Sequence, residues 1–174
     1  MADLRYPIGE FRKPVTVTDR DRDRFIDDIA AAPDALRAAV AGLDETQLDT
    51  AYRPGGWAVR QVVHHLPDSH LNAYLRFKLA LTENEPVVRP YDEALWAELP
   101  EAKTAAIDVS LSLLDALHRR WIACLRALPA EAFERRFVHP VSGPFTLNEQ
   151  VAAYSWHGRH HVAHITSLRE RMRW

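Results

Sequence analysis

The chain has 174 residues, which is enough for one domain with a hydrophobic core of its own. Apolar residues make up 47% of it and charged residues 26%, as in globular proteins rather than disordered or fibrous ones. The formal net charge of −2 excludes the strongly basic surface that binds nucleic acids or anionic membranes, so we expect neither as a partner. We predict a single domain over residues 1–174.

The sequence also limits where the protein can be located in the cell and what its cysteine can do. The opening MADLRYPIGEFRKP lacks the apolar core of a signal peptide, and no apolar run approaches the roughly 18 residues of a membrane-spanning helix. We therefore expect a cytoplasmic protein. The single cysteine, Cys124, excludes an internal disulfide and a thiolate zinc site, and its apolar neighbours predict a buried, unreactive thiol.

The first third of the chain contains an arm and one long helix. Residues 1–16 carry prolines and no helical period, which predicts an extended N-terminal arm. A helix should begin at the capping residue Thr18 and continue to about Gly42, with a kink or a restart at Pro33. The following DETQLDTAY is typical of a short helical turn and a loop.

The second helix follows the breaker RPGGW at residues 53–57. The pattern AVRQVVHHLPDSHLNAYLRFKLALTE has apolar residues at helical spacing, which predicts about seven turns. Pro67 should kink this helix locally because proline removes one backbone hydrogen bond. Residues 85–101 are interrupted by prolines, so we predict a long connection with a turn of helix at most.

The third helix is predicted from about Asp108 to Leu128. We assign five apolar residues to its buried face: Val109, Leu113, Leu117, Trp121 and Leu125. PAEAFERRF then indicates a short helical piece, and FVHPVSGPFT indicates two extended arms around a Ser-Gly turn.

The final helix begins at a capping box, formed by Thr146 and Glu149, and should end near Arg171. Four helices with irregular connections predict an all-α protein, specifically a four-helix bundle. Metal and ligand sites in such bundles are built from side chains on facing helices.

Histidine is the unusual residue of this composition, with nine copies, four of them in WHGRHHVAHI at residues 156–165. At about 100° per residue, His157 and His161 lie at the edge of the apolar face that contains Ile165. They are four residues apart, a separation that lets two imidazoles reach one cation. We therefore choose them as a pair of metal ligands.

A second pair in the same helix remains open. His160 and His164 are also four residues apart, but they point further toward solvent or a neighbouring helix. They either replace the chosen pair, supplement it or have no chemical role.

A third ligand should come from another helix, because catalytic metals commonly take three protein ligands. The second helix offers His64, His65 and His70. The zincin pattern H-E-x-x-H is absent, since Gly158 follows His157, which excludes a protease of that type. Gly158 on the inner face indicates either close helix packing or space for a substrate.

Five segments share a recognisable pattern: YPIG at 6–9, YRPGGW at 52–57, VRQVVHHLPDSH at 59–70, RFKLALTE at 76–83 and WHGRHHVAHI at 156–165. Together they resemble the YfiT branch of the DinB-like four-helix proteins over essentially the whole chain. The resemblance implies an up-down-down-up bundle, a homodimer and one divalent metal ion per chain. It also implies that His65, His157 and His161 are the ligands. Pro67 departs from the alanine of the family pattern and bears on the turn that carries His65.

The resemblance implies one of two reactions on a small-molecule substrate. One is metal-dependent hydrolysis, and the other is S-transfer from a low-molecular-weight thiol, such as bacillithiol, to a small electrophile. Three neutral imidazoles leave the ion its full charge, which lowers the pKa of bound water to about 7 or holds a thiolate. Zinc suits either reaction, whereas nickel, manganese or iron would suit a six-coordinate shell.

A different class of function also remains open. A non-catalytic, metal-stabilised binding or stress-response module would saturate the ion with a fourth side chain, for which His164 and His70 are candidates. His70 is otherwise a hydrogen-bonding partner of a ligand, a proton carrier or a satisfied core residue.

Other residues near these motifs have weaker assignments. Four arginines either recognise an acidic thiol or another anion or are ordinary surface charges: Arg53, Arg60, Arg76 and Arg159. Trp57 and Trp156 are interpreted as packing anchors, and His118 and His139 as structural or exposed residues.

Overall fold

The computed structural model describes residues 3–174. In chain order its elements are α1 (Asp19–Val40), α2 (Glu45–Leu48), α3 (Val59–Thr82), α4 (Glu93–Ala97), α5 (Pro100–Thr104), α6 (Ile107–Arg126), a 3₁₀ helix (Ala130–Glu134), β1 (Arg136–His139), β2 (Gly143–Thr146) and α7 (Leu147–Met172). The four long helices form the predicted bundle, and the strands form an antiparallel hairpin. Among residues 3–174, no helix is long and apolar enough to cross a bilayer.

A capping box begins the last helix, as predicted, and another begins the first helix at the predicted capping residue Thr18. The Thr18 hydroxyl accepts a hydrogen bond from the Asp21 amide at 3.1 Å. The Thr146 hydroxyl accepts from the Glu149 amide at 3.1 Å, and the Glu149 carboxylate accepts from the Thr146 amide at 2.8 Å. These reciprocal bonds satisfy amide groups that a helix start otherwise leaves unpaired.

Side-chain contacts give the direction of each helix. Arg22 contacts Asn148, and 17 residues further along α1 the Ala39 carbonyl accepts from Arg169 of α7, so α1 and α7 are parallel. The contacts of α3 give its two neighbours: His65 with His161, His70 with His157, His64 with Ser110 and His70 with His118. Hence α3 is antiparallel to α7 and parallel to α6, which is the up-down-down-up order.

Gly158 lies in the contact between α1 and α7. A Cβ atom at this position would lie 3.2 Å from the Ala32 Cβ and 3.7 Å from the His70 Cε1. The glycine therefore permits close helix packing, and of the two readings open from the sequence the packing one is correct.

The predicted inner face of the third helix is partly wrong. Val109 is 67% exposed and Leu113 is 46% exposed, whereas Leu111 and Leu114 are buried in their place. A strict spacing of four residues drifts by about 40° per step around a helix, so it cannot stay on one face over five positions. The buried residues instead alternate spacings of three and four.

Two other expectations need correction. Residues 85–101 were predicted as a connection with a turn of helix at most, but they contain α4 and the start of α5. Pro100 is the first residue of α5, a position that tolerates proline. Cys124 is half-buried rather than buried. The helices α1 and α3 continue through Pro33 and Pro67 respectively.

The N-terminal arm packs on the last helix. The Gly9 carbonyl accepts from the indole of Trp156 at 3.0 Å, and the Arg5 carbonyl lies 2.9 Å from the His164 Nε2. Residues 1 and 2 of the predicted arm lie outside the described residues. The arm covers the part of α7 that carries the histidines.

Asp68 provides a test of the folded structure by pH. Burial, with a smaller contribution from Glu101, raises its pKa from 3.8 to about 6. Since the folded pKa exceeds the unfolded one, the native chain loses stability as pH rises through about 6. We expect Asp68→Asn to raise the unfolding midpoint at about pH 8 and to leave it unchanged below about pH 4.

Thermal unfolding followed by circular dichroism across this pH range measures the difference. Asp23→Asn, at an exposed position of α1, is the matched control for loss of one negative charge. A rise of the unfolding midpoint in Asp68→Asn that is the same at every pH would contradict the raised pKa of Asp68.

Candidate metal centre

The three histidines chosen from the sequence lie together in the bundle. One ring nitrogen from each of His65, His157 and His161 lies within 4.8 Å of the other two. His65 comes from the first half of α3, and the other two occupy successive turns of α7. Their convergence follows from the antiparallel packing of these two helices, since each ring projects into the same interface.

The spacing of the nitrogens fits a metal ion. The Nε2 atoms of His65 and His157 are 3.3 Å apart. A tetrahedral ion with bonds of about 2.0–2.1 Å to nitrogen holds its ligands roughly 3.3–3.4 Å apart. One ion can therefore span this pair, and His161 provides the third nitrogen from the next turn.

All three imidazoles are neutral at neutral pH. Burial lowers the pKa of His65 from 6.5 to about 4. Burial and the neighbouring imidazoles also lower the pKa values of His157 and His161 well below 6.5. Neutral rings keep the lone pairs that bind a metal, so these ligands need not lose a proton first.

The RPGGW loop places Trp57 against the ligand rings. Its indole lies 4.8 Å from the His65 ring and is stacked 6.3 Å from the His161 ring, measured between ring centres. Gly55 has a φ of +66°, and a Cβ at Gly56 would lie 2.7 Å from the Arg53 side chain, so the turn needs both glycines. Trp57, predicted as a packing anchor, thus forms one wall of the site.

A cavity of about 520 Å³ opens beside the three histidines. Tyr91 reaches it from the connection before α4, Glu93 from the first residue of α4, and His139 from the β1–β2 hairpin. Trp156 closes it on the side of the N-terminal arm. The sequence did not point to Tyr91, Glu93 and His139 as wall residues, because the segments between the long helices, rather than the faces of those helices, bring them to the cavity.

Of the four arginines considered as anion-binding residues, Arg76 alone lines this cavity. Arg60 is buried and pairs with Glu45 and Asp49, its Nε lying 2.7 Å from the Asp49 carboxylate. This pairing ties α3 to α2 and its C-terminal end.

The other two arginines also have local partners. Arg53 donates to the Tyr52 hydroxyl at 3.2 Å and to the Pro54 carbonyl at 3.0 Å. Arg159 donates to the Ser155 carbonyl at 3.0 Å and lies 3.4 Å from the Asp28 carboxylate. These contacts hold the site's surroundings together without facing the cavity.

The second histidine pair does not face solvent, contrary to one of its two predicted orientations. His160 is 6% exposed and His164 is 3% exposed. The His160 ring stacks on Trp156 at 4.2 Å, and the His164 ring stacks on Tyr52 at 3.9 Å. The pair is covered because the arm and the loop before α3 fold over α7.

Neither candidate for a fourth ligand joins the group of three in the described residues. His164 is engaged by the Arg5 carbonyl, and His70 lies behind His157, with its Nε2 3.1 Å from the His157 Nδ1. His70 also contacts His118, which is buried, so His118 is structural rather than exposed.

Comparisons with known proteins agree with this fold. The family profile described as the DinB superfamily matches residues 28–165. The chain belongs to the DinB superfamily. A "Putative metal-dependent hydrolase" of Bacillus mycoides (strain KBAB4) is 53% identical over 174 residues, covering 100% of both chains. A protein described in the same words from Bacillus cereus (strain B4264) is also 53% identical over the full length of both.

A solved structure is also similar to this chain. YfiT from Bacillus subtilis, described as "a probable metal-dependent hydrolase with an unusual four-helix bundle topology", matches with a TM-score of 0.97. The identity is 49%, and the match covers 99% of each chain. The predicted family and bundle topology are therefore confirmed.

Removal of the three histidines tests the metal centre. We expect each of His65→Ala, His157→Ala and His161→Ala to weaken zinc binding more than about 100-fold, the upper end of the cost of losing a ligand's supporting partner. The triple variant should bind none. Competition with a chromogenic chelator, on protein purified without nickel resin, measures the affinity.

The matched control is His64→Ala. His64 is a buried neighbour of His65 whose nitrogens contact Ser110 and the Ala105 carbonyl instead. The His64→Ala variant should bind zinc with the same affinity as the unmodified chain. Equal binding by the triple variant and the unmodified chain would refute the site.

Proposed function

We propose that the protein is a metal-dependent enzyme that acts on a small electrophilic substrate. In this proposal His65, His157 and His161 hold one divalent ion. Convergence of three neutral imidazoles at a cavity of about 520 Å³ is the observation that supports this proposal. A purely structural metal site is closed by four protein ligands, whereas a catalytic site keeps a position open. Three ligands beside a cavity match the second kind.

An ion held in this way supplies Lewis-acid activation of water or of a thiol. The chain itself binds and orients the reactants. Trp57 and Trp156 restrict water at two walls, and Arg76 offers a fixed positive charge to an anionic group of the substrate. Zinc is our first choice of ion because the 3.3 Å separation of two ligand nitrogens fits tetrahedral geometry, with nickel, manganese and iron as the other candidates.

Hydrolysis is the first candidate reaction, since the similar proteins from Bacillus mycoides and Bacillus cereus carry that description. S-transfer from a low-molecular-weight thiol is the second. It is favoured by Arg76, which lines the cavity and has no ion pair within the described residues, so it can receive the carboxylate of an acidic thiol. Glu93 lies in the same cavity and limits the number of negative charges it accepts.

Two assays of the zinc-loaded chain separate these reactions. We expect hydrolysis of p-nitrophenyl acetate in buffer alone, and we expect the triple alanine variant at positions 65, 157 and 161 to lose it. Turnover of 1-chloro-2,4-dinitrobenzene only after addition of N-acetylcysteine would establish S-transfer instead. In that case Arg76→Gln should raise the KM for the thiol and leave the KM for the electrophile unchanged.

Absence of both activities in zinc-loaded protein would favour the non-catalytic binding or stress-response module. That result would contradict the enzyme proposal without affecting the metal site, which is measured separately by zinc affinity.

We also propose a homodimer in the cytoplasm. Large apolar side chains are exposed on two neighbouring helices, including Leu75 of α3 and Val109 of α6. Burial of these side chains by a second copy of the chain would remove their apolar surface from water. Sedimentation velocity at micromolar concentration measures the oligomeric state.

A further inference from the structure

A continuous row of ring nitrogens extends from the metal centre to the opposite side of the bundle. The His157 Nδ1 lies 3.1 Å from the His70 Nε2. The His70 Nδ1 lies 2.8 Å from the His118 Nε2. The His118 Nδ1 lies 2.7 Å from the Ile29 carbonyl oxygen. The row thus joins α7, α3, α6 and α1 in order.

The carbonyl at the end of this row fixes the direction of every hydrogen bond in it. A carbonyl oxygen only accepts, so His118 must carry its proton on Nδ1. A neutral imidazole has one N–H, so the His118 Nε2 accepts and the His70 Nδ1 donates. By the same rule the His70 Nε2 accepts and the His157 Nδ1 donates. The His157 Nε2 is then left with a free lone pair.

We propose that His70 and His118 are positioning residues: together with the Ile29 carbonyl they hold His157 in the tautomer whose Nε2 lone pair faces the metal site before an ion binds. This inference rests on the proposed metal site. The Nε2 atom in question lies 3.3 Å from the His65 Nε2, within the group of three. The Ser69 hydroxyl, 3.4 Å from the same atom, can donate to it.

Pro33 explains why the Ile29 carbonyl is free to end the row. In an α-helix this carbonyl would accept from the amide four residues later, at position 33. Proline has no amide hydrogen, so α1 leaves the Ile29 oxygen without its helical partner. His118 of the neighbouring helix supplies the missing donor.

The surroundings exclude the opposite direction. His70 is 0% exposed and His118 is 2% exposed, so water does not offer an alternative partner. Trp121 and Tyr154 pack edge-on against the His70 ring, with interplanar angles of 88° and 86°. Reversal would set the lone pair of the His118 Nδ1 against the lone pairs of a carbonyl 2.7 Å away.

Long-range ¹H–¹⁵N NMR of the imidazole nitrogens tests the proposal in the full chain, with zinc and after its removal by a chelator. We expect the Nδ1–H tautomer for His118, His70 and His157 in the zinc-free chain. An Nε2–H tautomer of His70 or His157 in that state would overturn the proposal. Unfolding of the chain on zinc removal, seen by circular dichroism, would overturn it too, because no preset site would then exist.

Two substitutions at position 118 separate positioning from packing. His118→Phe keeps a ring but removes the acceptor for the His70 Nδ1, and we expect about 10- to 100-fold weaker zinc binding. His118→Gln offers a donor to the Ile29 carbonyl and an acceptor to His70, so it should restore most of the affinity. NMR should show Nε2–H forms of His70 and His157 in the Phe variant only.

The control is His64→Phe, at a buried histidine of α3 outside this row, which should change neither the tautomers nor the affinity. Equal losses of zinc affinity in the Phe and Gln variants would show that His118 has only a packing role, which would refute the proposal. Should His118→Phe fail to fold, the tautomers of the unmodified zinc-free chain still decide. Zinc binding by the unmodified chain tests the metal site independently of the row.

Discussion

Burial of imidazoles in the middle of the bundle is the constraint on which the rest of the structure depends. One apolar cluster contains Phe77 and Trp121, and a second contains Leu66 and Leu114. His70 of α3, His118 of α6 and the four histidines of α7 lie between the two clusters along their helices. A buried polar nitrogen without a partner costs free energy. The rings of this layer therefore bond to one another, and nitrogens that cannot do so, such as the His161 Nδ1, remain without a partner among the described residues.

The helix order makes this layer possible. Because α3 is antiparallel to α7 and parallel to α6, residues halfway along all three helices share one level. The close approach of α1 to α7 at Gly158 and Ala32 closes the layer on the fourth side and brings the Ile29 carbonyl within reach of His118. The long connections between the bundle helices are free to wall the cavity, as Tyr91 does from the segment between α3 and α6 and His139 does from the segment between α6 and α7.

The sequence predicted those features that depend on local periodicity. Several of these features are properties of a few neighbouring residues: the capping residues, the spacing of His157 and His161, and the breaker before Trp57. The helices and the class of bundle were predicted from local patterns of this kind. The family resemblance selected His65 from three candidates on α3. Features that depend on tertiary contacts were not predictable. The burial of His160, for example, depends on Tyr6, in an arm more than 140 residues away along the chain.

The structural role of Pro33 depends on a contact between helices and is therefore visible only in the fold. A proline inside a helix removes a hydrogen bond and costs about 3 kcal/mol in an isolated helix. In α1 the carbonyl that loses its partner belongs to Ile29, which faces His118 at the level of the metal centre. The freed oxygen accepts from that ring, so the defect is offset by a hydrogen bond between helices. The direction of that bond then continues through His70 to His157. A proline whose local effect is a kink or restart of α1 thus provides the fixed end of the row that we propose orients His157.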